Sequence, residues 1–457
     1  MAQYNKNTQQ YLPQAKTLFE VVMLADKDGQ PVSSNSGTPV EFSGTSADAF
    51  GRGRVSEPFT LADYKHTYGD SKDFLTHSVD GGTVSYTTNH ANVVLQTSNL
   101  ATSKVVHQSK LYHHYLPGKS QLVFASFCFN DSDLSCKKRI GYFDDNNGIF
   151  FEKEIDDAGN ISLKIVIRSN VSGSVVDVEI PQDQWNLDKC DGTGNSGFNL
   201  DIEKTQLLFL DFQWLGVGRI RVGFIHDGVA IVAHQELHSN NLDVVYWSNP
   251  NLPIRGELLN TAANSGASMQ MICSTVICEG GYIEAGKDWE VQNTTVKPTQ
   301  QPGGTWTPIL ALRLKNTFNG YDNRVLFLPE AVGVYADLKS VSFKVGKLTS
   351  ASSLSAGVPL VWNSVNDDSA VEYCENATGI NLTDFESFNG GFISSGVAQG
   401  SQTAASPNDL IKSKRNIITQ NYDSTDSEVY VIIVKTLPTG VNDYANIWTS
   451  LQWKEIL

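Results

Sequence analysis

The stretch Arg219-Ile220-Arg221-Val222-Gly223-Phe224-Ile225-His226-Asp227-Gly228-Val229-Ala230-Ile231-Val232-Ala233-His234 decides the fold of this chain. Asp227-Gly228 supplies the positive φ angles that a tight hairpin turn requires. Before the turn, Ile220, Val222 and Phe224 share one strand face, while Arg219, Arg221 and Gly223 take the other. One face is core, and the other meets solvent or a partner.

Outward from this hairpin the same alternation recurs. Residues 149–154 and 161–168 read as a hairpin across Asp156-Asp157-Ala158-Gly159-Asn160, and residues 122–129 as a mostly buried strand. Further candidate strands lie at 82–87, 92–97 and 105–115, and in the C-terminal third at 309–314, 341–346, 429–435 and 447–453. With 37 glycines and only 18% charged residues, the composition suits many short strands joined by polar turns. The predicted fold class is all-β: antiparallel β-sandwich or jelly-roll domains with an extended N-terminal arm. The strand spacing around Trp185, Trp214 and Trp247 resembles the concanavalin-type lectin sandwich.

Punctuation along the chain predicts four parts. Residues 1–120 form an arm and attachment segment with short strands, including one at 18–24; 121–292 form the lectin-like sandwich. Residues 293–306, with Pro298, Pro302, Gly303 and Gly304, read as a linker, and 307–457 as a second sandwich. Within the latter, the Gly- and Ser-rich region at 387–407 reads as a surface loop or an intersubunit contact.

The formal net charge of −15 argues against nucleic acid as a partner, because phosphate binding needs a concentrated positive surface. The N-terminus is polar, and no run approaches the roughly 18 apolar residues of a membrane helix, so the expectation is a soluble protein made in the cytoplasm. The six cysteines show no metal-finger spacing and read as free thiols, with Cys273 and Cys278 on opposite strand faces.

Several clusters invite chemistry. On a strand, His234, Glu236 and His238 project from one face and could offer zinc two imidazoles and a carboxylate, although hydrogen-bonded histidines at a strand end are the simpler reading. The segments 144–148 and 188–195 are rich in side-chain oxygens but lack the ligand order of a calcium loop, and turns explain them. There is no G-x-S-x-G nucleophile elbow and no complete dinucleotide fingerprint. The expectation is therefore no catalytic residue, no cofactor and no metal. Tyr246, Trp247 and Arg255 are candidates for contact with a carbohydrate or a partner.

A further segment, Asp48-Ala49-Phe50-Gly51-Arg52-Gly53-Arg54-Val55-Ser56-Glu57-Pro58-Phe59, is compact and unusually composed. If extended, it places Arg52 and Arg54 on one face and leaves the glycine face bare, with Phe50 and Phe59 as apolar anchors. Pro58 restricts Glu57 to extended conformations. The segment resembles one found in virion structural proteins of tailed bacteriophages, especially phages of marine bacteria and cyanobacteria, and of some large algal DNA viruses. The pattern there is roughly Asp-Ala-Phe-Gly-Arg-x-Arg-Val-Ser-x-Pro, followed a few residues later by an apolar residue and Asp. Asp48 through Ser56, Pro58 and Asp63 match it, with Gly53 where the family usually has leucine. The resemblance extends to 11–16, 21–29, 214–224 and 251–255.

This resemblance implies a virion part without enzymatic activity, located in the particle. The expected role is a tail, baseplate or fibre component forming a homo-oligomer, with a trimer favoured, whose Phe50, Arg52, Arg54 and Phe59 contact other virion proteins. Alternatives are a capsid decoration or minor capsid protein, and a receptor-binding adhesin for host surface glycans.

Overall fold

The computed structural model describes residues 3–5, 10–12, 57–130, 133–283, 285–300, 302–395 and 417–457. The chain divides into two units, Met1–Ser56 and Glu57–Leu457. In the first, the described residues form one antiparallel pair, Gln3–Asn5 with Gln10–Leu12. The expected strand at 18–24 lies outside the described residues, as do Phe50, Arg52 and Arg54.

The second unit is all-β and antiparallel, built as two sandwiches. In the first sandwich, a seven-stranded sheet runs in the order Val176–Pro181, Ile161–Ser169, Gly148–Ile155, Cys136–Phe143, Ile254–Asn260, Lys104–Ser109 and Phe74–Val79. It faces an eight-stranded sheet ordered Val229–Glu236, Ile220–His226, Gln206–Phe212, Ser120–Cys128, Ser268–Glu279, Asn92–Gln96 and Thr83–Thr87. The eighth strand, Pro58–Lys65, pairs with the far end of Ser268–Glu279, beyond Asn92–Gln96.

The deciding hairpin forms as its pattern predicts. Ile220–His226 pairs with Val229–Glu236, and Asp227 and Gly228 take φ of 50° and 77°. Ile220, Val222 and Phe224 enter the core, and Arg221 pairs with Asp211 on the other face. Gly223 has a packing reason: a Cβ there would stand 2.0 Å from the Ile231 carbonyl oxygen. The 149–154 and 161–168 hairpin also forms, with Ile155 opposite Ile161.

The second sandwich packs a four-stranded sheet (Lys287–Gln292, Lys297–Pro298, Leu326–Ala336 and Asn446–Ile456) against a six-stranded one. The latter runs Asn363–Ser364, Val371–Cys374, Thr307–Leu314, Val429–Thr436, Val341–Leu348 and Phe385–Ile393. Asn446–Ile456 alternates in the manner of a half-exposed strand, with Ile447, Leu451 and Trp453 inward and Trp448 and Gln452 outward. Val429–Thr436 is instead nearly continuous in apolar residues, because both its faces are covered. Tyr430, Ile432 and Val434 meet the four-stranded sheet, while Val429, Val431 and Ile433 pack beneath Leu354, Trp306 and Trp362.

Four expected assignments are corrected. A division at residue 120 would cut both sheets of the first sandwich, since the strands between Pro58 and Ser109 hydrogen-bond within them. The residues read as a linker at 293–306 are built into the second sandwich. Asn293 Oδ1 accepts the Thr449 N–H at 2.6 Å, Lys297–Pro298 pairs with Asn446 and Ile447, and Thr299 N–H donates to the Ala445 carbonyl. Lys287–Gln292, assigned to the first sandwich, also pairs there. Finally, the start of the Gly- and Ser-rich region is a strand, Phe385–Ile393, where Gly390 and Gly391 pass close to the Phe343–Lys344 backbone and the Phe343 ring.

Candidate functional site

The two sandwiches meet along a seam of buried charge. In Ile254–Asn260 the side chains of Ile254 and Leu258 join the core, so Arg255 and Glu257 project from the opposite face of the seven-stranded sheet. Arg255 is 1% exposed. Its guanidinium donates to Gln108 Oε1 and to Asp145 Oδ1, each at 2.8 Å. Arg139 bridges Glu152 and Glu257 at 2.6 Å each, and Lys104 approaches Glu257 at 3.2 Å.

The second sandwich closes this network. Tyr422 lies with its ring 5.4 Å from the Arg255 guanidinium carbon, donates its hydroxyl to Asp145 Oδ2 at 2.6 Å, and stacks on His77 at 4.2 Å. Buried ions are tolerable where each has partners. Burial pushes the Glu257 carboxyl up, but Lys104, Arg139 and Arg255 outweigh it and hold the group at about 2.

A cleft of about 390 Å³ opens along the same seam. One wall is Thr60–Tyr64, part of the edge strand Pro58–Lys65, which among the described residues pairs on one side alone. Lys110 and Lys347 reach Glu428 across it, at 2.9 Å and 3.4 Å. Lys72, Lys110 and Lys347 stand against Asp63, Asp73 and Glu428, a lining balanced in charge. Asp63 is also the last matched position of the 48–63 signature.

The residues predicted from sequence scatter. Phe59 is on the edge strand, 38% exposed, and stacks on Tyr282 at 5.1 Å. Tyr246 and Trp247 are not surface aromatics: they are 5% and 0% exposed. Trp247 packs edge-on against Phe212 and Tyr246, and His238 stacks on Tyr246. These rings lie on the crossover between the two sheets and fill the interior, where large aromatic area stabilises most. Arg255 contacts the second sandwich of its own chain, so its place as an outward contact is likewise corrected.

His234, Glu236 and His238 do not converge as a ligand set. His234 Nε2 meets Glu236 Oε1 at 2.8 Å, but His238 Nδ1 is bonded to the Gly218 carbonyl. Asp144 and Asp188 cap turns, accepting backbone N–H groups from Asn146, Asn147, Cys190 and Ser196. All six cysteines are free; Cys278 is buried and Cys273 exposed.

The structure does bring together a set that no sequence spacing announced. His66 and His107, 2% and 0% exposed, face the Asp70 carboxylate at 3.6 Å and 3.4 Å. Burial and the neighbouring His107 push His66 down to about 4. His66 and Asp70 are four residues apart, a weak local signal; His107 arrives from the facing sheet of the sandwich.

No protein-family model and no curated protein matches the chain. Among solved structures, the chain is similar to a protein of unknown function from Shewanella oneidensis MR-1, at 11% identity over 51% of this chain and 91% of that one, with a TM-score of 0.34. It is similar to the CBM2 module of an evolved Dit of Lactobacillus casei BL23 phage J-1, at 5% identity over 50% and 100%, TM-score 0.32. A legume lectin-like domain from Entamoeba histolytica aligns at 9% identity over 45% and 89%, TM-score 0.27.

Proposed function

We propose that the chain is a non-enzymatic structural protein of a bacteriophage particle, a tail, baseplate or fibre component that works as a homo-oligomer, with a trimer favoured. One observation carries this reading. The signature at 48–63 straddles the division between the two units: Asp48–Ser56 belongs to the first, while Pro58 and Asp63 lie in an edge strand of the second. A segment so placed is a connector. Its strand is anchored by the ladder to Ser268–Glu279, and its outer edge, which pairs with no other described strand, lies beside the cleft, where a neighbour's chain would add. Arg52 and Arg54 make the attachment to adjoining virion proteins, and Phe59 extends it. The body of two sandwiches locked by buried charge serves as the rigid part.

The test is incorporation. An Arg52→Ala/Arg54→Ala variant is expected to fold and to be depleted from purified particles; normal occupancy overturns the connector role. Immuno-labelling is expected on the tail, and label on the shell would favour a capsid decoration protein instead.

A receptor-binding adhesin is a second reading, favoured by one feature of the second sandwich. Tyr335 and Trp448 are cross-strand partners with ring centroids 5.3 Å apart, 40% and 39% exposed, beside the outward Gln452. Such a platform suits stacking on a sugar ring. Glycan-array binding that disappears in Trp448→Ala would support it, and an array with no bound glycan would count against it.

A further inference from the structure

We propose that His66, Asp70 and His107 form a binding site for a divalent transition-metal ion, zinc being the best match. One nitrogen from each imidazole and one carboxylate oxygen lie within 4.8 Å of one another. Asp70 Oδ1 stands 3.4 Å from His107 Nε2 and 3.6 Å from His66 Nδ1. Those separations are long for N–H···O hydrogen bonds, which cluster at roughly 2.7–3.2 Å. They are the edge lengths of a coordination tetrahedron: donors at about 2.0–2.2 Å from zinc sit about 3.3–3.6 Å from each other.

An independent observation concerns His107. Its side chain is wholly buried, and among the described residues Nε2 has no hydrogen-bond partner. Its other nitrogen, Nδ1, is held by Thr76 Oγ1 at 2.9 Å, as the outer nitrogen of a metal-bound imidazole commonly is. In the tautomer whose Nδ1 proton goes to Thr76, Nε2 turns its lone pair toward the carboxylate. His66 Nδ1, the nitrogen nearest Asp70, carries no proton either, since it accepts the Ser71 N–H at 3.2 Å, a hydrogen bond that a metal ion would replace. A lone pair aimed at an anion repels it, and a cation between them reverses the sign.

The ring of Phe74 fixes both imidazoles, stacking on His107 at 4.7 Å and lying 5.5 Å from His66. Asp70 is 44% exposed, which leaves an open side for ion entry and for a water as fourth ligand. Two nitrogen donors with one oxygen select zinc and its transition-metal neighbours over calcium or magnesium.

The ion would also tie the sheets together. His66 follows directly on the edge strand Pro58–Lys65 of the eight-stranded sheet, and His107 lies in Lys104–Ser109 of the seven-stranded sheet. A bound zinc would therefore pin the strand that continues the 48–63 signature. The site itself stands on this geometry whatever particle the chain belongs to.

The experiment uses the full chain, stripped with chelator and titrated with zinc by calorimetry, and with cobalt by visible absorption. The expected result is one zinc per chain, a zinc-dependent rise in melting temperature, and cobalt bands of tetrahedral intensity. Asp70→Asn, at an exposed position that leaves folding intact, is expected to weaken zinc binding at least tenfold and to abolish the rise. His107→Gln is expected to do the same, and its circular dichroism reports whether it folds. Absence of a zinc-dependent melt in the native chain overturns the site, as does zinc binding that Asp70→Asn leaves unchanged.

Discussion

Tyr422 of the second sandwich covers Arg255 of the first, its ring 5.4 Å from the guanidinium carbon and its hydroxyl 2.6 Å from the Asp145 carboxylate that Arg255 also binds. One phenol thus satisfies both a cation and its counter-ion at the seam, and couples two sandwiches that each have their own core.

Tyr422→Ala removes the cation–π contact and a hydrogen bond to a charged group, and is expected to cost about 2–3 kcal/mol. Tyr422→Phe keeps the ring and is expected to lose about half of that. Scanning calorimetry checks both: the alanine variant is expected to melt in two separated transitions where the native chain melts in one.

The seam is expected to be acid-sensitive. Glu257 titrates at about 2 in the folded chain against an ordinary 4.5, so between those values the unfolded chain holds more protons. The stabilisation is complete above about pH 4.5 and is lost as pH falls through about 2. Its size is roughly 3 kcal/mol. Urea denaturation across this range is expected to show the slope in the native chain and a shallower one in Glu257→Gln.

Trp247→Ala empties a core position and is expected to destabilise by about 3–5 kcal/mol. Trp448→Ala, on an outward strand face, is expected to change stability by less than about 1 kcal/mol. Denaturant midpoints for the pair separate the buried tryptophan from the exposed one, and a small effect at Trp247 would contradict its packing.

Gly141 lies where two strands pass without room for a side chain. A Cβ there would stand 2.3 Å from the Ile149 carbonyl oxygen and 2.6 Å from the Phe150 Cα, both backbone atoms that cannot swing aside. Gly141→Ala is expected to cost roughly 1–3 kcal/mol or to abolish soluble expression, read by thermal melting.

The strands were largely legible because their signals are local. Asp227-Gly228 marks its own turn, and the alternation of Ile220, Val222 and Phe224 marks its own inner face. The candidate sites were not legible, since exposure is a property of what packs on top. Trp247 has the composition of a sugar platform and the position of a core residue. Pro298, Gly303 and Gly304 read as a linker because the residues that pair with them, Asn446, Gly440 and Thr436, come from the far end of the chain.

By itself the sequence determined an all-β antiparallel chain with two sandwich cores, because pleat period and turn chemistry act over a few neighbouring residues. Tertiary structure alone decided that Asp145 meets Tyr422 from 277 positions away, and that His107 turns a buried ring nitrogen toward Asp70. Those juxtapositions depend on which strands lie side by side and on the apolar area that ordering buries, and no local pattern encodes either.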